Sequence, residues 1–306
     1  MGEVLAGFSR SMITAALLVA LHASAVTAQQ APQSPPSPPS GAVGGLGDIN
    51  LYPKRLVITD RDRLGTIGLY NRSPATGEYE ITISDKIMMP DGSIVALTDD
   101  ILQNAPPGYH PASALLRYSP KSVQLPGNES QTVRIVPRLP ADTPPGEYRA
   151  HLTVSAVPPI AETDSITAAV NGDTSSGIGV QILPRFGISV PVIVRIGTTT
   201  LNAGISHAQL EQSAESTWDF SVTLTRGGTR SAFGDVIVTA PGFAKPIAQL
   251  RGVGLYTEIT SRTVRIPLDP AIARDKLHTG ATVTVTYIDD DVTPGAVLAR
   301  KEIRVP

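Results

Sequence analysis

Residues able to do chemistry are few and scattered. The chain has no cysteine, so metal sites built on thiolates are excluded. Beyond the N-terminal leader the histidines are His110, His151, His207 and His278, and no two stand at metal-ligand spacing. No G-x-S-x-G elbow occurs, and no glycine-rich phosphate loop opens a helix. The densest acidic run is Asp289-Asp290-Asp291. Acidic loops of this kind sometimes hold calcium, but no further carboxylates cluster with it, which favours a solvated turn or a structural ion pair. Asn71-Arg72-Ser73 matches a glycosylation sequon, which means nothing behind a bacterial export signal. The pattern predicts no enzyme, no cofactor and no metal.

The elements around these residues begin with an export signal. Arg10 precedes a short apolar stretch, Met12 to Leu21, and Val26-Thr27-Ala28 offers a cleavable exit before Gln29. That order is what signal peptidase reads, and the apolar core is too short to span a bilayer. Residues 1–28 are therefore expected to be a signal peptide, with no membrane insertion of the rest. Residues 29–47 are rich in Pro, Ser and Gly and are expected to form a flexible leader. The formal charge is −2 over the whole chain. It stays there once Glu3 and Arg10 are removed, and it does not suggest nucleic acid as a partner. Without disulfides, an exported protein relies on its cores.

The remaining length suits two domains. Helical periodicity is nearly absent. Short alternating runs separated by Pro, Gly, Asn and Asp predict an all-β chain of two immunoglobulin-like β-sandwich domains around a cleft, residues 48–197 and 198–306. Pro90-Asp91-Gly92 in MMPDGSIVALT is a hairpin turn. In the second domain Trp218, Phe220, Val222 and Leu224 alternate as core positions, and the chain is expected to end within the last strand. Residues 158–177 form a long polar loop.

The run that follows is the least ordinary. Ile178, Val180, Ile182, Pro184, Phe186, Ile188, Val190, Val192 and Val194 occupy every second position. One strand of this length reaches about 55 Å, far beyond an ordinary strand. Two readings stand level on periodicity. The run is two consecutive strands bent at Pro184 or Gly187 and facing cores, or it is an edge strand offering an apolar ridge to another chain. Pro184 and Pro191 lack amide donors, which suits an edge or a corner.

The first domain resembles the PapD-like periplasmic chaperones of chaperone–usher pilus systems. The likeness rests on YPKRLVI, LYNRSPATGEYEITISD, SPKSVQLPGNESQTVRIVPRLP with GEYRAHLTVSAVPP, and GVQILPRFGISVPVIVR, in that order. The second domain is similar more loosely, chiefly through TYIDDDVTPGAVLA. The resemblance implies a non-enzymatic periplasmic chaperone that binds pilus or fimbrial subunits by donor-strand complementation and delivers them to an outer-membrane usher. Strand addition draws affinity from backbone bonds and specificity from alternating side chains. Val180, Ile182, Phe186 and Ile188 are the implied anchors, with Pro184 disturbing their register. The resemblance also places a subunit-carboxylate anchor at Arg55, whose guanidinium can donate two parallel hydrogen bonds. The family's cleft lysine falls on Pro191, which carries no charge; either Arg55 works alone, or another basic residue such as Lys54 or Arg185 assists, or carboxylate anchoring is weakened here. Interdomain ion pairs are implied among Glu147, Arg195 and Asp290. An exposed apolar edge invites capping by a second copy, so a self-capping homodimer is an open state. The alternative is a structural pilin or adhesin built from such modules. A pilin would lack its last strand and carry an alternating N-terminal extension, whereas this extension is Pro-rich. A periplasmic enzyme or sugar-binding sandwich is the third reading, and a convergent polar pocket would be its mark.

Overall fold

The computed structural model describes residues 43–44, 49–62, 64–158, 185–213, 217–272 and 277–306. All of them lie in one unit, Pro36–Pro306. The expected signal peptide, most of the leader, nearly all of the polar loop, Val180, Ile182 and Pro184 lie outside the described residues. No described helix is long and apolar enough to cross a membrane.

The first sandwich runs β1 (Val43–Gly44), β2 (Ile49–Tyr52), β3 (Leu56–Thr59), β4 (Gly65–Asn71), β5 (Gly77–Ser84), β6 (Lys86–Met88), β7 (Ile94–Ala96), α1 (Asp99–Gln103), β8 (Leu116–Ser119), β9 (Ser122–Leu125), β10 (Ser130–Pro137), β11 (Gly146–Ala156) and β12 (Gly187–Ile196). Its sheets have the orders β1-β2-β4-β10-β8 and β3-β12-β11-β5-β9. Alternation decides the facing. Ile67 and Leu69 of β4, Val133 and Ile135 of β10, and Ile81 of β5 turn inward, and their neighbours turn out. With Leu152, Val190, Val192 and Val194 they make the first core. Val43 and Gly44, inside the span expected to be a free leader, pair with Leu51 and Asn50 of β2.

The second sandwich runs β13 (Leu201–Gln212), β14 (Trp218–Gly228), β15 (Ala232–Thr239), β16 (Ala248–Leu255), β17 (Ser261–Pro267), β18 (Thr282–Asp289) and β19 (Val297–Arg304). Its sheets are β13-β14-β17 and β16-β15-β18-β19. Phe220, Val222 and Leu224 are buried in its core, and Trp218 packs against it from a partly buried position.

Two features of the first sandwich reach into the second. The β6–β7 hairpin turns at Pro90-Asp91-Gly92, with Gly92 at φ +88°, and Met88 enters the second core. Ile193 of β12 also belongs to that core.

The described part of the alternating run is Phe186 to Val194. From Val192 to Arg195 β12 lies between β11, antiparallel, and β3, parallel; from Gly187 to Pro191 it pairs with β11 alone. Ile188 is 7% exposed and sits in its own sandwich's core. A strand half-buried against its own core has the same period as a ridge offered to a partner, so spacing alone does not choose. Phe186 lies just before β12 and is 45% exposed. Pro191 stands opposite His151, and the pairing with β3 begins only at Val192, so the side of Pro191 facing β3 lies outside that ladder.

Candidate functional site

The site is built on the outer face of β11 and β12. Tyr148, Ala150 and Leu152 face the first core, which turns Glu147, Arg149 and His151 outward. The second sandwich covers them, so they are buried as fully as their inward neighbours: Glu147 is 1%, Arg149 2% and His151 3% exposed. Polar side chains in such a place need partners.

Glu147 and Arg195 stand directly across from each other on β11 and β12. Arg195 Nε donates to Glu147 Oε2 at 3.0 Å, and Arg195 Nη2 donates to Asp291 Oδ2 at 2.5 Å. Ser231 of the second sandwich donates to Glu147 through both its amide and its hydroxyl. Burial alone would lower the Arg195 pKa, but Asp291 and Glu147 raise it above the ordinary value.

The third member of this network is Asp291, not the expected Asp290. Asp290 takes Arg55 Nη2 at 2.9 Å and Lys54 Nζ at 2.5 Å. Burial would raise the Asp290 carboxyl, but the bonds and charges of Lys54 and Arg55 hold it below the usual carboxylate range. Asp289 turns inward and accepts the amides of Asp291 and Thr293, each at 2.9 Å. Three adjacent aspartates thus point three ways, a division that residue type does not announce. All three carboxylates are committed, and no group of three potential metal ligands occurs among the described residues.

Arg55 is 10% exposed in its side chain. Its guanidinium lies 4.1 Å from the centre of the Phe233 ring, and it also donates to the Asp290 carbonyl at 3.0 Å. Arg55 and Lys54 are therefore brought together by Asp290. Arg185 is elsewhere engaged, in an exposed pair with Glu80.

A second buried ion pair was missed by sequence reasoning. Arg149 donates through Nη1 and Nη2 to Glu258 at 3.1 and 2.5 Å. The guanidinium packs over the Tyr256 ring at 3.7 Å, and Glu258 also accepts the Met88 amide at 2.6 Å. The partners lie 109 residues apart, and nothing local in LYTEITS marks Glu258.

Lys86 was also missed. Its amine reaches Ser189 Oγ at 3.2 Å and Thr153 Oγ1 at 3.4 Å. Ser189 precedes Pro191 by two positions on the same face of β12. Lys86 forms no ion pair among the described residues, and burial lowers its pKa. Beside it, His151 is pushed down to about 3 by burial and by the charges of Arg149 and Lys86.

Phe186 lines an apolar recess of about 230 Å³ with Ile49, Tyr79 and Ile188 at the end of the first sandwich.

No family model and no curated protein matches the chain. Among solved structures, it is similar to the E. coli chaperone DraB at 14% identity, with 84% of this chain and 96% of that one covered and a TM-score of 0.41. It is similar to the Salmonella enterica SafA pilin–SafB chaperone complex at 15% identity, over 86% and 99% of the chains, with a TM-score of 0.39. The structure of the periplasmic chaperone SfaE gives 12% identity, 84% and 98% coverage and a TM-score of 0.40. At these values the fold of this chain rests on its own strand order and its two cores: it is a pair of immunoglobulin-like β-sandwiches joined through buried ion pairs.

Proposed function

We propose that this chain is a periplasmic chaperone for pilus or fimbrial subunits, without catalytic activity, which hands its clients to an outer-membrane usher. The observation that carries the reading is Lys86. It is a partly buried cation whose partners among the described residues are hydroxyls, on the face of β12 that carries Pro191. That supplies a positive charge near the position where the resemblance leads one to expect a lysine. A subunit carboxylate arriving there gains a charge-assisted hydrogen bond without first displacing an internal acid. Arg55 is the second proposed anchor, and its bond to Asp290 must be exchanged or shared when a client carboxylate binds.

The proposed lent segment is the one leading into β12, with Val180, Ile182 and Phe186 as anchors. Each such side chain, fully buried in a client groove, contributes about 1.5–3 kcal/mol, less the cost of ordering the segment. The test is co-expression with a pilus subunit and recovery of the complex from periplasm. Ile182→Asp is expected to abolish recovery, and Lys86→Met to reduce it. Normal recovery with Ile182→Asp rules out strand lending through this segment.

A further inference from the structure

A polar recess of about 520 Å³ opens where the two sandwiches join. Three arginines line it, from three separate elements: Arg61 from the turn after β3, Arg195 from β12, and Arg230 from the connection between β14 and β15. Arg195 is held by Glu147 and Asp291. Arg230 is not so held. Its side chain is 13% exposed, and its nearest carboxylate oxygen, Asp291 Oδ2, is 3.7 Å away. That oxygen already accepts Arg195, and the Arg230 Nη1 is enclosed with no hydrogen-bond partner among the described residues. Arg61 is exposed and forms no ion pair among the described residues. The one lining carboxylate among the described residues, Asp60, accepts the Gly197 amide through Oδ2 at 2.9 Å, and the nearby Asp62 accepts the amide and hydroxyl of the lining Thr59.

Lys54, Arg55 and Arg195 each touch an acid within 3.0 Å, which leaves Arg61 and Arg230 without so close a carboxylate among the described residues. An enclosed guanidinium N–H without an acceptor is costly, and guanidinium forks suit oxyanions. Donors approaching from separate elements need acceptor oxygens in several directions. A tetrahedral oxyanion has them; a carboxylate has two in one plane.

We propose that this recess binds a phosphate-class oxyanion between Arg230 of the second sandwich and Arg61 of the first. Bound there, the anion ties the two sandwiches together across their connecting segment. The proposal does not depend on the chaperone reading.

The test is titration calorimetry of the full exported chain with inorganic phosphate, at ionic strength held constant with sodium chloride. One saturable site is expected, with acetate giving no comparable heat. Arg61→Ala, on an exposed side chain, and Arg230→Lys, which keeps the charge but loses the fork, are each expected to weaken binding about tenfold. A second arm uses vesicles containing phosphatidylglycerol. Binding that depends on Arg61 and Arg230 in either arm supports the site, and the responding arm tells a free ion from a headgroup. Wild-type affinity in both variants, or equal response to acetate and phosphate, overturns it.

Discussion

The Arg149–Glu258 pair gives the sharpest test of how the sandwiches are held. The Glu258 side chain is 0% exposed and accepts two guanidinium N–H groups and the Met88 amide. Glu258→Gln keeps the shape and removes the charge. Arg149, at 2% exposure and unable to shed its proton, is left without a counter-charge. Breaking a buried pair in this way costs about 3–5 kcal/mol. Replacing both partners, Arg149→Met with Glu258→Met, removes the stranded charge. What remains is the unsatisfied Met88 amide and the Lys86 carbonyl that Arg149 served at 3.2 Å, about 1–3 kcal/mol for each such group. The double variant is therefore expected to be no less stable than Glu258→Gln, and well short of the sum of the singles. Equilibrium urea unfolding at constant m measures Glu258→Gln, the double variant and its two singles, Arg149→Met and Glu258→Met. A Glu258→Gln cost under about 1 kcal/mol, or single costs that simply add, would refute the reasoning.

Other outcomes follow from neighbouring groups. His151 is neutral in the fold, with its pKa at about 3 against 6.5 for the free side chain. Its contribution is complete above pH 6.5 and is lost as the pH falls toward 3, so stability is expected to drop by about 1–2 kcal/mol between pH 7 and pH 5; His151→Phe should flatten that part of the urea-midpoint profile. Asp290→Asn is expected to free Arg55 and Lys54, raising affinity for a peptide with a free C-terminal carboxylate while leaving the Glu147–Arg195–Asp291 bonds intact; fluorescence anisotropy with carboxylate and amidated peptides checks it. Gly108→Ala places a Cβ 2.2 Å from the Thr257 carbonyl oxygen, and a thermal melt should show a loss of about 1–3 kcal/mol as the loop is pushed off the second sandwich.

The sheets were legible because half-buried strands write their facing into every second residue, as in Val133 and Ile135 or Phe220, Val222 and Leu224. The MMPDGS hairpin was legible because its turn needs a glycine at positive φ, and Gly92 supplies it. Glu147 and Arg195 were found through the resemblance, and they are cross-strand neighbours. What could not be read was the surface on which alternation is spent. Ile188 has the spacing of a lent ridge and lies in its own core. Nor could partner choice within Asp289-Asp290-Asp291 be read, because it depends on the turn of the backbone. Arg149–Glu258 and Lys86 escaped because their neighbours come from other strands, and sequence carries no mark of that encounter.

The burial of Glu147, Arg149 and His151 beside Tyr148, Ala150 and Leu152 has a bearing on how the protein can change. Most strands here tolerate a swap at every other position, because one face meets water. From Gly146 to Leu152 no position is exposed on either side, so this stretch has no free alternation in which to drift. A cut in the connecting segment between β12 and β13 would not release two independent modules. Pulling them apart would take Glu258 from Arg149 and Asp291 from Arg195 and would bare Ile193, a surface made for its neighbour and ill suited to solvent. The two halves are expected to be expressed, exchanged and inherited together.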